Sequence, residues 1–305
     1  MKSITEKLLE MIADYTGAFK GAYNIREDAA CAGRQSSEHI HITSKEDMPG
    51  LDIHVDPGTK GETVFIPACV THGDVDDLVY NDFFIGKDAD ITVVAGCGVN
   101  TDDEGEARHN GIHRFFLEEN AQVLYKEKHI GTGKGNGVKT INPVTDATLK
   151  SGAVLTMDTT QISGVDKTLR KTNAVLADHA KLVIRERLLT DGDEEAKTEF
   201  EVVLDGEDSG ADIVSRSVAK GNSVQDYVSC IVGKNRCTGH SECDAILAEN
   251  GKVNAAPKLS AFHTDAQLIH EAAIGKIAGE QIMKLKTLGL TEEEAEKKII
   301  EGFLK

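Results

Sequence analysis

The chain has 305 residues, enough to bury a full core without disulfides, and sets 34 Lys and Arg against 51 Asp and Glu for a formal net charge of -17. That charge repels phosphate backbones and anionic lipid surfaces, so neither nucleic acid nor membrane is an expected partner. With no Trp, 5% aromatics and 6 Cys, the composition argues against stacking platforms for sugars or bases and against a disulfide scaffold; the thiols are left for packing or soft-metal binding.

At the N-terminus, Ile4, Leu8, Leu9 and Ile12 recur at helical spacing, with Ser3 as N-cap and Glu6 three residues on, and predict a short amphipathic helix. Glu6, Glu10 and Asp14 interrupt its apolar positions, so it does not read as a signal peptide. No later run reaches membrane-spanning length, and a cytoplasmic location is expected. Residues 1–60 form a helical and irregular segment in this reading. From about residue 60, short runs rich in Val, Ile, Thr and Phe alternate with Gly, Asn and Asp, as strands joined by tight turns do.

Within this stretch a pattern recurs: a turn residue, then Ala, then alternating apolar positions. The alanines Ala89, Ala121, Ala153, Ala180 and Ala211 lie 32, 32, 27 and 31 residues apart, with further strand-like runs such as EFEVVLDG between them. A near-fixed period marks stacked units that bury a core only with their neighbours, which favours a β-solenoid over a sandwich. The predicted fold is therefore mainly β, with a β-helix core over 61–271. Helical texture returns over 272–305. A first helix near 278–288 carries Ile282 and Leu285 and stops at Gly289; a second opens on the capping box of Thr291 and Glu294, with a stripe of Ala295, Ile299 and Phe303.

The run GTGKGNGVKT at 131–140 fails as a phosphate loop because Val138 separates the last Gly from Lys, and it misses the dinucleotide-binding glycine spacing too. It reads as a turn between strands. No hydrolase or zinc-protease signature is present. Chemistry concentrates where Cys230, Cys237 and Cys243 fall within fourteen residues, beside His240 and Glu242, a ligand set suited to iron, zinc or an iron-sulfur cluster. In a strand Cys237 and Cys243 would share a face; a turn at Gly239 would bring them together more directly. Cys31 and Cys69 read as small buried residues, whereas Cys97, in a turn-like GCG, reads as either structural or functional. His270 and Glu271 would point to opposite sides of a strand.

The segments SRSVAKGN (215–222), ECDAIL (242–247) with Pro257 after it, DAQLIHEAAIGKIAGEQI (265–282) and LGLTEEEAEKKIIEGFL (288–304), in that order, resemble the C-terminal core of SufB and SufD proteins, the scaffold subunits of iron-sulfur cluster assembly. The resemblance implies a right-handed parallel β-helix, a transient iron-sulfur cluster, and a non-catalytic scaffold working with a separate SufC-type ABC ATPase that docks on the C-terminal helices at Ile299 and Phe303. His270 and Glu271 match the family's H-E-A segment. The family's Cys before the conserved Pro has no counterpart, since 249–256 reads ENGKVNAA, and Cys237 and Cys243 stand in for it, with His240 and Cys97 as further metal candidates. The compact length resembles minimal two-component systems, which implies a homodimer that passes clusters to recipient apoproteins. The alternative within the family is a SufD-like structural subunit that holds no cluster. A solenoid carbohydrate enzyme is disfavoured by the missing Trp and secretion signal.

Overall fold

A computed structural model describes residues 2–162 and 164–305. Helix α1 (Ser3–Ala13) buries Leu8, Leu9 and Ile12, the predicted apolar stripe, but its N-cap is Lys2, so Ser3 is the first helical residue. The strands start well before residue 60. β1 (Ala22–Glu27) pairs antiparallel with β2 (Ala30–Gln35), and β3 (Ile40–Ser44) with β4 (Gly50–Val55). From there the chain winds: β5 (Lys60–Val70), β6 (Val75–Ile85), β7 (Asp90–Asn100), β8 (Ala107–Leu117) and β9 (Gln122–Thr132). The short β10 (Lys139–Ile141) and β11 (Val144–Leu149) share one coil, followed by β12 (Val154–Ile162), β13 (Lys167–Leu176), β14 (Lys181–Thr190) and β15 (Glu195–Leu204). β16 (Ser209–Ala219), β17 (Val224–Gly233), β18 (Cys237–Leu247), β19 (Lys252–Ala261) and β20 (Ala266–Lys276) complete the winding. The last strand thus ends a few residues beyond the boundary read at 271.

Alternate strands join two sheets, one ordered β2-β1-β5-β7-β9-β12-β14-β16-β18-β20 and the other β19-β17-β15-β13-β10-β8-β6-β4-β3. Every pairing among the described strands from β4–β6 and β5–β7 onward is parallel, with one register shift at Lys60–Glu62 where β5 meets β7, which is a β-solenoid. Along each strand alternate residues turn inward to one continuous core from Ala22 to Cys243.

The alanine period has a physical origin. Ala89, Ala121, Ala153 and Ala180 stack in one column, tied by hydrogen bonds from Gln122, Val154, Lys181 and Gly210 to the carbonyl of each in turn. Only a small side chain fits this tight inner corner. The column continues with Ser209, Cys237 and Ala266, not Ala211, which pairs with Leu182 two residues along. Ahead of each alanine stands a residue at positive φ, among them Asp88 and Asn120, whose short polar side chains tolerate the left-handed backbone of the turn, and Gly152, which has no Cβ to clash. The 133–138 turn lies flat on the 101–105 turn beneath it: a Cβ on Gly133 would stand 2.1 Å from the Thr101 carbonyl oxygen, so glycine is required by the close approach.

The two ends differ. At the first, α1 covers the outer face of β5, β7 and β9, where Gly96 and Gly98 leave room for Ile12 and Leu8. At the other, β19 and β20 are bare edges, followed by α2 (Gly279–Thr287) and α3 (Glu292–Phe303). Thr291 and Glu294 form the predicted capping box, and Gly289 at φ 95 ends the first helix. Among the described residues no helix is long and apolar enough to cross a membrane.

Candidate metal centre

β18 reads CTGHSECDAIL, and strict alternation decides what each side chain meets. Cys237, Gly239, Ser241 and Cys243 turn inward; His240, Glu242 and Asp244 turn outward. Gly239 sits mid-strand, so no turn gathers the cysteines. β20 pairs with β18 so that Ser241 lies beside His270 and Glu242 beside Glu271. Glu271 therefore joins the outer face and His270 the inner, as the opposite-sides reading of that pair requires.

On the outer face, one ligand atom each from His240, Glu242 and Glu271 lie within 4.8 Å of one another. His240 Nδ1 donates to Asp212 Oδ1 at 2.8 Å, from β16 on the coil beneath, and Arg185 of β14 holds Asp212 from the other side. This leaves His240 Nε2, 3.6 Å from Glu271, as the atom facing the two carboxylates. A carboxylate behind a ligating imidazole fixes its tautomer and ring angle and raises its basicity. The hydrogen bond to Asp212 raises the His240 pKa above its ordinary value, against the opposing effect of burial. Burial alone would raise Asp212, but the hydrogen bonds from His240 and Arg185 outweigh it and hold that carboxyl below the usual range. Burial, then the hydrogen bond with Asp244, raises Glu242. One imidazole and two carboxylates suit a divalent first-row ion with open positions.

The proposed ligand set is thus divided by the strand. Cys237 stands in the alanine column and Cys243 in the main core, both buried. Burial raises both thiols, Cys243 to about 12, so neither is a thiolate in this state. His270 faces inward at the last coil with both ring nitrogens buried and without a hydrogen-bond partner among the described residues. Cys97 lies within β7, not in a turn, and is buried on the inner face far along the solenoid from β18; burial holds its thiol well above the ordinary range. Cys69 is buried beneath α1 as expected, while Cys31 is exposed on β2, contrary to the buried reading. Asp212 escaped the sequence reading because its link to His240 is a register contact between coils.

A parallel β-solenoid with one covered end, one bare end and a histidine–carboxylate cluster on its last full coil is the class of protein defined by this geometry. A family model described as SUF system FeS cluster assembly, SufBD core domain, matches residues 81–303, and the chain belongs to that family. An iron-sulfur cluster assembly SufBD family protein of Methanothermobacter thermautotrophicus is 28% identical over 267 residues, covering 85% of this chain and 63% of that protein. One from Archaeoglobus fulgidus is 28% identical over 274 residues, covering 89% and 72%. One from Methanocaldococcus jannaschii is 25% identical over 316 residues and covers 99% of each chain.

Proposed function

We propose that this chain is a scaffold on which iron-sulfur clusters are assembled, and that iron enters at His240, Glu242 and Glu271. The observation that carries this is the convergence of those three ligand atoms, with Asp212 orienting the imidazole, on the coil next to the bare end. Iron and sulfide are cargo here. The thiols of Cys237 and Cys243 lie one strand-face away, and β20 is paired on one side only, with β18. Movement of β20 would bring Cys237, Cys243 and His270 to solvent beside the outer cluster. An ABC ATPase docked on α2 and α3 supplies that movement in this reading. The outward apolar positions of the pair, Met283 and Leu288, are unburied, and Ile299 and Phe303 are half-buried.

Burial of both cysteines favours a second reading, a SufD-like subunit that shapes the complex without holding the cluster. Anaerobic reconstitution with ferrous iron and sulfide, together with the ATPase and ATP, separates the two. On the scaffold reading Glu271→Ala and His240→Ala lower retained iron several-fold, and Cys237→Ala with Cys243→Ala abolishes the cluster absorbance. Cluster content unchanged in all of these variants selects the structural subunit.

A further inference from the structure

The interior of the solenoid near its covered end holds a cavity of about 310 Å³, remote from β18, with the exposed Cys31 and the buried Cys97 both on its wall. Three inward residues of β6 and β8, Asn81, His109 and His113, shape its inner part. His109 Nδ1 lies 3.1 Å from Asp77 Oδ2, a carboxylate also paired with Arg26, so Nδ1 carries the proton and donates. His113 Nδ1 lies 2.8 Å from the Tyr125 hydroxyl, whose own proton goes to Glu127 Oε1 at 2.7 Å, so His113 Nδ1 donates as well.

Both imidazoles therefore turn Nε2 toward Gly111, which stands between them on the same face of β8. A methyl group on Gly111 would lie 3.0 Å from His109 Nε2 and 3.4 Å from His113 Nε2. Two residues four apart on a strand are normally about 13 Å apart at Cα, so the rings lean inward over the glycine to reach one gap. His109 Nε2 makes no hydrogen bond among the described residues, and His113 Nε2 has only a 3.3 Å contact with Asn81 Nδ2. Asn81 is 4% exposed, and its Oδ1 has no hydrogen-bond partner among the described residues. A buried amide oxygen without a donor is costly. The gap thus holds a free acceptor on His109 Nε2 and a weakly engaged one on His113 Nε2, and a half-turn of the Asn81 amide, which exchanges Nδ2 and Oδ1, would aim the unpartnered oxygen at the same gap. Nearby cations do not meet that need, because Arg26 is held by Asp77, Lys45 by Asp52 and Asp82, and Arg170 by Glu127 and Glu186; Arg34 is bound to Asn24 and Ser44.

We propose that this gap is an interior site for one first-row divalent transition-metal ion, held by His109 Nε2, His113 Nε2 and, after a half-turn of its amide, Asn81 Oδ1, with Asp77 and Tyr125 orienting the imidazoles. The donor set is nitrogen and oxygen of intermediate softness, and each histidine has the hydrogen-bonded support that metal-bound imidazoles have. The cavity that reaches Cys31 is the entry path. The site is independent of the outer cluster on β18 and β20.

The test uses the full chain carrying Glu242→Gln and Glu271→Gln, which silences the outer cluster, stripped with chelator and titrated with Co(II). One equivalent should bind with visible ligand-field absorption and without the near-ultraviolet band of cobalt–thiolate bonding. In that background His109→Gln and Gly111→Ala should each weaken binding by about tenfold or more. Gly111→Ala keeps both histidines and only fills the gap, and Gly111 has no positive φ to strain an alanine. Asn81→Asp should tighten binding, because a carboxylate replaces an amide oxygen. The proposal is overturned by failure to retain Co(II), by equal retention in Gly111→Ala, or by a thiolate band showing that cysteines hold the ion. Asn81→Asp leaves it open to refutation even where His109→Gln does not fold.

Discussion

His240 sits where protonation and metal binding compete. Its pKa lies above the ordinary 6.5 because Asp212 accepts from Nδ1. In the metal-free protein the raised pKa means that the Asp212–His240 contact stabilises the fold fully below the unfolded value of about 6.5 and is lost as pH rises through the folded value. The urea midpoint of His240→Gln should therefore fall furthest below the parent near about pH 5.5 and approach it near about pH 9. Metal binding has the opposite sense, since an ion needs the neutral ring. Ferrous iron affinity should drop as pH falls through the His240 pKa, and Asp212→Asn should move that drop to lower pH. A drop that stays at the same pH in Asp212→Asn would show that the dyad does not set it.

At the scale of elements, strand parity decides which chemistry is accessible. β18 presents thiols to the core and imidazole and carboxylate to solvent, whereas β20 turns the His270 imidazole inward and the Glu271 carboxylate outward. The C-terminal helices follow a simpler rule. α3 buries Ala295 and Ile300, pairs Glu296 with Lys220 at 3.1 Å, and packs against α2, not against the solenoid's main core. Phe303 lies half-buried at its last turn, outside the main core. Phe303→Asp should abolish co-purification with the ATPase while leaving the unfolding free energy of the solenoid, from urea titration, within about 0.5 kcal/mol of the parent. Retained binding would remove α3 from the docking surface.

For the molecule as a whole, the asymmetry of the two ends matters most. Antiparallel β1–β2 and β3–β4 pairs close the first end, whereas β19 and β20 leave unpaired backbone edges and apolar side chains in solvent, Phe262 at 75% and Ile269 at 56% exposure. Bare sheet edges of this kind pair with another chain unless blocked. A second copy meeting this end about a two-fold axis would cover both edges and set the two outer clusters near one interface. Light scattering should accordingly give twice the chain mass, and Ile269→Asp should shift the protein to monomer at micromolar concentration with an unchanged circular dichroism spectrum. A parent protein that runs as a monomer would refute the homodimer.

The sequence by itself determined the repeat, because a solenoid corner accepts only a small residue and the turn before it favours residues that tolerate positive φ; Ala89, Ala121, Ala153 and Ala180 with their preceding turn residues record that demand locally. It also determined α1, the Thr291–Glu294 capping box and the stop at Gly289, all fixed by contacts within a few residues. The fifth step of the column was not legible, since Ser209 satisfies the corner as well as alanine does and only the register between β14 and β16 separates it from Ala211. The pairing of His240 with Asp212, the inward turn of Cys237 and Cys243, and the meeting of His109 and His113 over Gly111 were decided by tertiary structure alone. Each depends on which residue of one coil stacks on which residue of the next, or on where a side chain can lean within a closed interior, and neighbouring sequence holds no record of either.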